Sequence, residues 1–297
     1  MEKRMQEVME ARSHGINEAL QRKGADFRVI YTSNLKNNVI FDGYALVAEG
    51  SSVNPVVYYS EKWWCGSDEE IANYLIKTKQ AILARESDTK AIIKASMQPD
   101  YITAHVLPRL YGEENQNCMQ AEDRYFVEFL DMLVGFYVPL MDLSSKDSMA
   151  SMPITISMIN ELKLDADGLL NAAIENISKQ SRVRNMITML HEEAGFPIPP
   201  DELDNPSVPM LIVSNGNGIN GAASILSKDV QEQIAGILGT EYIILPSSIH
   251  ECICCPVKDT DELLAMVKDI NAKYVSEEER LTNSVYGYRN GRIEKIA

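Results

Sequence analysis

The chain has 297 residues, 45% of them hydrophobic, and its 43 acidic against 28 basic side chains give a formal net charge of −15. That length supports a sizeable core, as one large domain or two modest ones. The acidity runs through both halves and leaves no basic stripe to neutralise phosphates, which argues against direct binding to nucleic acid or to an anionic membrane surface.

Residues 2–23 have a helical pattern, with Met5, Val8, Met9, Ile16 and Leu20 at near-helical spacing and Gly24 as a stop. Phe27–Tyr31 and Val39–Val47 read as strands about a polar turn at Asn34–Asn38, and Pro55–Tyr59 as a third. Ser67-Asp68-Glu69-Glu70 is a capping box that opens a helix reaching about Arg85. Tyr125 to about Met141 is apolar and carries Gly135 and Pro139, so the pattern predicts a strand there. The polar stretch Leu143-Ser144-Ser145-Lys146-Asp147-Ser148 divides the chain into an N-terminal lobe, 1–145, and a C-terminal lobe, 146–297.

Beyond that division, short helices are expected at about 155–162 and 166–178, with Met186, Met189 and Leu190 as helix core. Pro197, Pro199, Pro200 and Pro206 impose an extended loop over 196–207. Met210–Val213, Tyr242–Leu245 and Cys252–Val257 are strands. Ser227 and Asp259 cap helices, and Asn290-Gly291 marks a closing hairpin. The fold class is α+β in two lobes: an N-terminal helix plus antiparallel β-meander, then a mixed α/β lobe with antiparallel strands.

The densest set of reactive side chains is Ser247, Ser248, His250 and Glu251, between two apolar segments. Histidine, serine and a carboxylate are the components of acid–base and nucleophilic chemistry. Their spacing is poor for it. Neighbours at i and i+2 of an extended chain lie roughly 7 Å apart, too far for a direct serine–imidazole hydrogen bond. A turn whose serines cap loose backbone groups and whose imidazole satisfies a local carbonyl is the preferred reading.

His250, Cys252 and Cys254 would share one face of a regular strand, but no second Cys or His pair completes a metal site. The three cysteines Cys252, Cys254 and Cys255 read better as small buried hydrophobes, and no metal or cofactor is expected. Gly216-Asn217-Gly218-Ile219-Asn220-Gly221 matches a dinucleotide fingerprint in letters only, because its helix opens near Ser227, too late to face a pyrophosphate. Trp63-Trp64 closes the N-terminal core in preference to forming a recognition patch. Five cysteines, an odd number, together with a charged N-terminus and no apolar run of about 18 residues, predict reduced thiols in a cytoplasmic protein away from membranes.

Leu245-Pro246-Ser247-Ser248-Ile249-His250-Glu251, with Asn220-Gly221-Ala222-Ala223 and Leu281-Thr282-Asn283-Ser284-Val285-Tyr286, resembles the bacterial domain-of-unknown-function family 5688. Pro153-Ile154-Thr155, residues 169–176 and residues 102–110, with Leu107-Pro108-Arg109-Leu110, fit the same family. The resemblance covers most of the chain. It implies a protein of gut Firmicutes, often in genomes rich in mobile elements, with no assigned activity, cofactor or catalytic residue. It also implies that the cysteines are core, since members usually carry aliphatic residues there. The leading expectation is a non-enzymatic binding or regulatory protein with an unknown protein or small-molecule partner. The alternative is an enzyme of hydrolase or transferase type using His250, and a weaker idea is nucleic-acid mimicry.

Overall fold

A computed structural model describes residues 2–49, 54–83, 86–140, 150–199, 209–257 and 259–297. It divides into two compact units, Met1–Ala95 and Ser96–Ala297. The expected division at 145/146 lies within the second unit, and the polar stretch 143–148 lies outside the described residues. A strand before it, residues 132–139, pairs with a strand after it, residues 151–153. Backbone hydrogen bonds therefore bind the two sides into one body.

In the first unit, helix α1 (Glu2–Arg22) ends at Gly24, whose φ of +67° only glycine adopts without strain. It is followed by an antiparallel meander of β1 (Phe27–Lys36), β2 (Val39–Ala48) and β3 (Val56–Tyr58). The β1–β2 turn sits at Asn37-Asn38, both at positive φ, where asparagine is tolerated and the strand twist is matched. After the short helix α2 (Glu61–Trp64), α3 (Asp68–Leu83) opens with the expected capping box. The Ser67 amide donates to Glu70 Oε2 at 2.7 Å, and Ser67 Oγ accepts from the Glu70 amide at 3.3 Å. Met9, Ile16 and Leu20 from α1, Phe27, Val29, Tyr44 and Leu46 from the sheet, and Ile71 and Leu75 from α3 form one core. Trp63 closes it, stacked on Tyr74 at 5.8 Å. Helix α4 (Glu86–Ser96) ends the unit.

The second unit opens with α5 (Pro99–His105), β4 (Leu107–Gly112) and α6 (Gln116–Ala121). The apolar run from Tyr125, expected as one strand, is a hairpin of β5 (Phe126–Phe129) and β6 (Met132–Pro139). It turns at Leu130, whose φ is +57°, and Asp131, a reversal that hydrophobicity alone does not mark. β6 is buried along its whole length, between β4 on one side and β5 with β7 (Ser151–Pro153) on the other. Next come α7 (Ile156–Leu162) and α8 (Ala166–Ser178), close to their expected spans.

A six-stranded antiparallel sheet follows. It comprises β8 (Ser181–Asn185), β9 (Leu211–Asn215), β10 (Tyr242–Pro246), β11 (Cys252–Cys255), β12 (Tyr286–Arg289) and β13 (Arg292–Lys295). The order is β13-β12-β10-β11-β9-β8. Helices α9 (Met186–Ala194), α10 (Lys228–Leu238) and α11 (Thr260–Tyr274) interleave with it. Ser227 and Asp259 cap the last two as expected, and the β12–β13 turn falls on Asn290-Gly291, both at positive φ. Helix α9 is not the core element expected of it, since Leu190 stands 37% exposed. The proline-rich stretch shows no regular structure over 196–199, and the rest of it lies outside the described residues.

Strand alternation gives the sheet two apolar faces. Tyr242, Ile244, Cys252 and Cys254 join Val134, Phe136, Val138, Leu169 and Val230 in the large core. Ile243, Leu245 and Cys255 pack instead on Leu263 and Val267 of α11.

The four-stranded sheet is tied to the six-stranded one by Asp131, at the β5–β6 turn. Its carboxylate accepts from Ser284 Oγ at 2.7 Å, Lys295 Nζ at 2.9 Å, Thr282 Oγ1 at 3.4 Å and the Tyr286 hydroxyl. Burial alone would raise this carboxyl; the bonds from Tyr286, Ser284 and Lys295 outweigh it and hold the group below its ordinary 3.8. A depressed folded-state pKa contributes stability that is complete above the unfolded value and is lost as pH falls through the folded one. Asp131→Ala is expected to cost about 2–3 kcal/mol. In melting scans near neutral pH that is a fall of roughly 5–10 °C. The gap from wild type should close in scans below pH 3.8.

Candidate functional site

The two central strands β10 and β11 are joined by the loop 247–251, which carries all four sequence-identified candidates. The loop folds on itself through its own polar groups. Ser248 Oγ accepts from the His250 amide at 3.0 Å, and the Ser248 amide donates to the Glu251 carbonyl at 3.2 Å. Ile249 is thereby turned into the large core. The Ser248 hydroxyl serves the backbone of His250 and is not directed at its ring, the short-range turn chemistry that serine favours. Ser247 is half-buried and makes no hydrogen bond to His250 among the described residues. Glu251 is half-buried; burial raises its carboxyl, and His250 offsets this in part.

Two distant segments complete the surroundings of His250. One is the turn after β9. Asn220, in the left-handed region at φ +56°, donates its amide to His250 Nδ1 at 3.2 Å. Ala222 donates its amide to the Ile249 carbonyl at 3.2 Å, and Ser214 Oγ to the His250 carbonyl at 2.8 Å. The other is the single turn Glu277–Glu279. Its Glu279 carbonyl accepts from the Ile249 amide at 2.8 Å, and its Glu279 Oε1 lies 3.5 Å from His250 Nε2. An Nδ1 that accepts a backbone N–H leaves the ring proton on Nε2, facing the Glu279 carboxylate. Both side chains remain open to solvent, His250 at 32% and Glu279 at 44%.

The glycine-rich run takes part through shape. After Gly216-Asn217-Gly218, residues Gly221–Leu226 form 3₁₀ turns, and α10 opens only at Lys228. No helix N-terminus meets the glycines, as a dinucleotide site would require. Gly221 is instead the point where two backbones touch. A Cβ there would sit 2.3 Å from Ser214 Oγ, 2.6 Å from the Asn215 nitrogen and 2.7 Å from the His250 carbonyl. The cysteines of β11 are core: burial drives the Cys252 thiol up to about 12, helped by the Glu251 charge, and Cys254 well above its ordinary value. Among the described residues no group of three or more His, Cys, Asp or Glu is placed to hold a metal ion. No described helix is long and apolar enough to cross a membrane.

A second set of polar groups lies on the four-stranded sheet and interacts, through Tyr137, with Asn220 in the turn after β9. Arg109 stands opposite Gly135 in the β4–β6 ladder, and Tyr137 lies two residues along on the same face. The Arg109 guanidinium lies 4.8 Å over the Tyr111 ring, with its Nε buried and without a hydrogen-bond partner. The Tyr137 hydroxyl, in a residue only 5% exposed, is also without a partner. Burial raises this phenol, while the Asn220 side chain and the Arg109 charge pull it back. Asn215 donates Nδ2 to the Ile219 carbonyl at 2.7 Å and leaves Oδ1 unsatisfied. Sequence reading passed over this set. Its one signal was a lone arginine inside the apolar strand Leu107–Gly112.

Because three atoms crowd the Gly221 position, Gly221→Ala is expected to cost about 3 kcal/mol. In chemical denaturation the transition should move to lower denaturant with an unchanged slope.

The model of a family of unknown function, DUF5688, matches residues 5–290. No curated protein and no solved structure matches the chain. With the match running through both units and every motif at the His250 junction, the chain belongs to the family of unknown function DUF5688.

Proposed function

We propose that the protein is a non-enzymatic binding or regulatory protein, in which the loop 247–251 forms part of the wall of a ligand site and performs no chemistry. The observation that carries this reading is the commitment of the loop's reactive atoms: Ser248 Oγ to the His250 amide, His250 Nδ1 to the Asn220 amide and His250 Nε2 toward Glu279. A general base needs a free nitrogen within reach of the proton that it removes, and a nucleophile needs that base beside it. The unsatisfied buried groups nearby, Arg109 Nε, Tyr137 Oη and Asn215 Oδ1, favour a binding role, because such groups are costly unless something meets them.

A cytoplasmic setting accords with five cysteines, three of them buried, that form no disulfide among the described residues. The net charge of −15 favours a small molecule or a protein over nucleic acid as partner. The second reading, an enzyme of hydrolase or transferase type, is favoured by one observation. The partly exposed His250 and Glu279 lie 3.5 Å apart, a pair able to shuttle a proton.

The deciding experiment exposes the protein to a mixture of cellular small molecules, isolates the complex by rapid gel filtration and identifies the ligand by mass spectrometry. The binding reading expects the ligand to be recovered unchanged, at no more than one equivalent per chain. It also expects His250→Ala to lower the melting temperature by several degrees, about 1–2 kcal/mol for the lost bonds. Product accumulating beyond one equivalent per chain, and abolished by a His250→Ala protein that still folds, would establish the enzyme instead.

A further inference from the structure

We infer that Arg109, Tyr137 and Asn220 form a binding site for the carboxylate group of a small-molecule ligand. The inference rests on the binding role proposed above and names the chemistry that the site would take.

Arg109 is the starting point. A guanidinium has five N–H donors and keeps its charge, so taking it partly out of water without a counter-ion is expensive. Arg109 has no ion pair and no hydrogen bond among the described residues; its only named contact is the Tyr111 ring. This is not for want of acidic residues in a chain that carries 43 of them. Arg124 meets the hydroxyl of the same Tyr111 at 3.4 Å and is neutralised by Glu122 at 2.5 Å. Two arginines thus flank one tyrosine, and only Arg109 is left uncompensated.

Two further donors belong to the set. Tyr137 lies on the same side of the β4–β6 ladder, with a buried hydroxyl that nothing satisfies. The Asn220 side chain acts on that hydroxyl and lowers its pKa, and the Asn220 backbone is fixed by the amide bond to His250 Nδ1. A buried hydroxyl and a guanidinium nitrogen left without hydrogen-bond partners, with the Asn220 side chain acting on the same hydroxyl, are suited to a single oxyanion. The planar fork of arginine matches the two oxygens of a carboxylate. One guanidinium balances one negative charge, so a monoanion fits better than a phosphate dianion in so acidic a chain. Asn215 Oδ1, the remaining unsatisfied oxygen of the region, is an acceptor and takes no part in holding an anion.

The test is a titration followed by NMR on the Arg Nε–H resonances, with Arg109 assigned by the loss of its signal in Arg109→Gln. Sodium acetate is the probe, with sodium phosphate and sodium chloride at equal ionic strength as the other arms. The expected result is a saturable shift of the Arg109 signal with acetate and none with chloride. Tyr137→Phe removes a hydroxyl that has no partner, so it should fold as well as wild type and bind acetate about tenfold more weakly. It keeps the test valid even if Arg109→Gln fails to fold. A response to chloride equal to that of acetate, saturation by phosphate alone, or unchanged acetate affinity in Tyr137→Phe would each overturn the inference. A ligand recovered unchanged from the cellular mixture, without any acetate response at Arg109, would remove this site and leave the binding role standing. Turnover of that ligand would remove the binding role whatever acetate does.

Discussion

Within the second unit, one carboxylate governs how the sheets meet. Asp131 sits at the tip of a hairpin and collects three hydroxyls and an ammonium from residues 282–295, more than 150 positions away in sequence. Half-buried charges are tolerated only where several donors converge, and the convergence fixes the register of what it joins. It sets the β5–β6 hairpin against β12 and β13. Through β6 it also places β4, which carries Arg109, beside the 3₁₀ turns that follow β9. The order at the candidate site therefore depends on a polar contact that belongs to a different end of the sheet.

The stretches on which the resemblance rests can be understood in the same physical terms. Asn176 of α8 donates to the carbonyls of Thr103 and Val106, holding the end of α5 and the start of β4 together. Ile154 donates its amide to the Phe136 carbonyl. Asn220 and Ala222 bond to the loop at His250 and Ile249, and Thr282, Ser284 and Tyr286 bond to Asp131. Each marked stretch makes a contact between distant segments, where backbone groups would otherwise be buried unpaired. The resemblance is thus carried largely by residues that hold segments together, and it says more about architecture than about reaction.

What the sequence made legible was local. The Ser67–Glu70 capping box, the Ser227 and Asp259 caps and the Asn290-Gly291 hairpin depend on neighbours a few residues apart, and their chemistry can be read from letters in order. The cysteines were legible as core, because a run of small apolar residues after a strand signal has few other homes. The rest needed three dimensions. The Tyr125–Met141 run hides a reversal at Leu130-Asp131, since a turn held by a distant lysine and distant hydroxyls leaves no local mark. The boundary expected at 145/146 falls inside the second unit, because a polar stretch is equally at home inside a unit whose flanking strands pair. At the candidate site, the loop 247–251 was identified, but Glu279, Asn220 and Arg109 were not. Nothing in the sequence says that residues 220 and 279 approach 250, or that residues 109 and 220 both act on Tyr137.

The strand β11 carries its thiols in an alternating pattern: Cys254 faces the large core, while its chain neighbour Cys255 faces the layer under α11. Neither sulfur is accessible unless packing around the central sheet loosens. The two faces of the sheet thus each hold a chemical clock on adjacent residues. If the layers open as one cooperative body, an alkylating reagent meets both sulfurs at a common rate. If α11 lifts away by itself, Cys255 reacts first. The ratio of those rates measures how far the sheet's two coverings are energetically independent, with no label added to the protein.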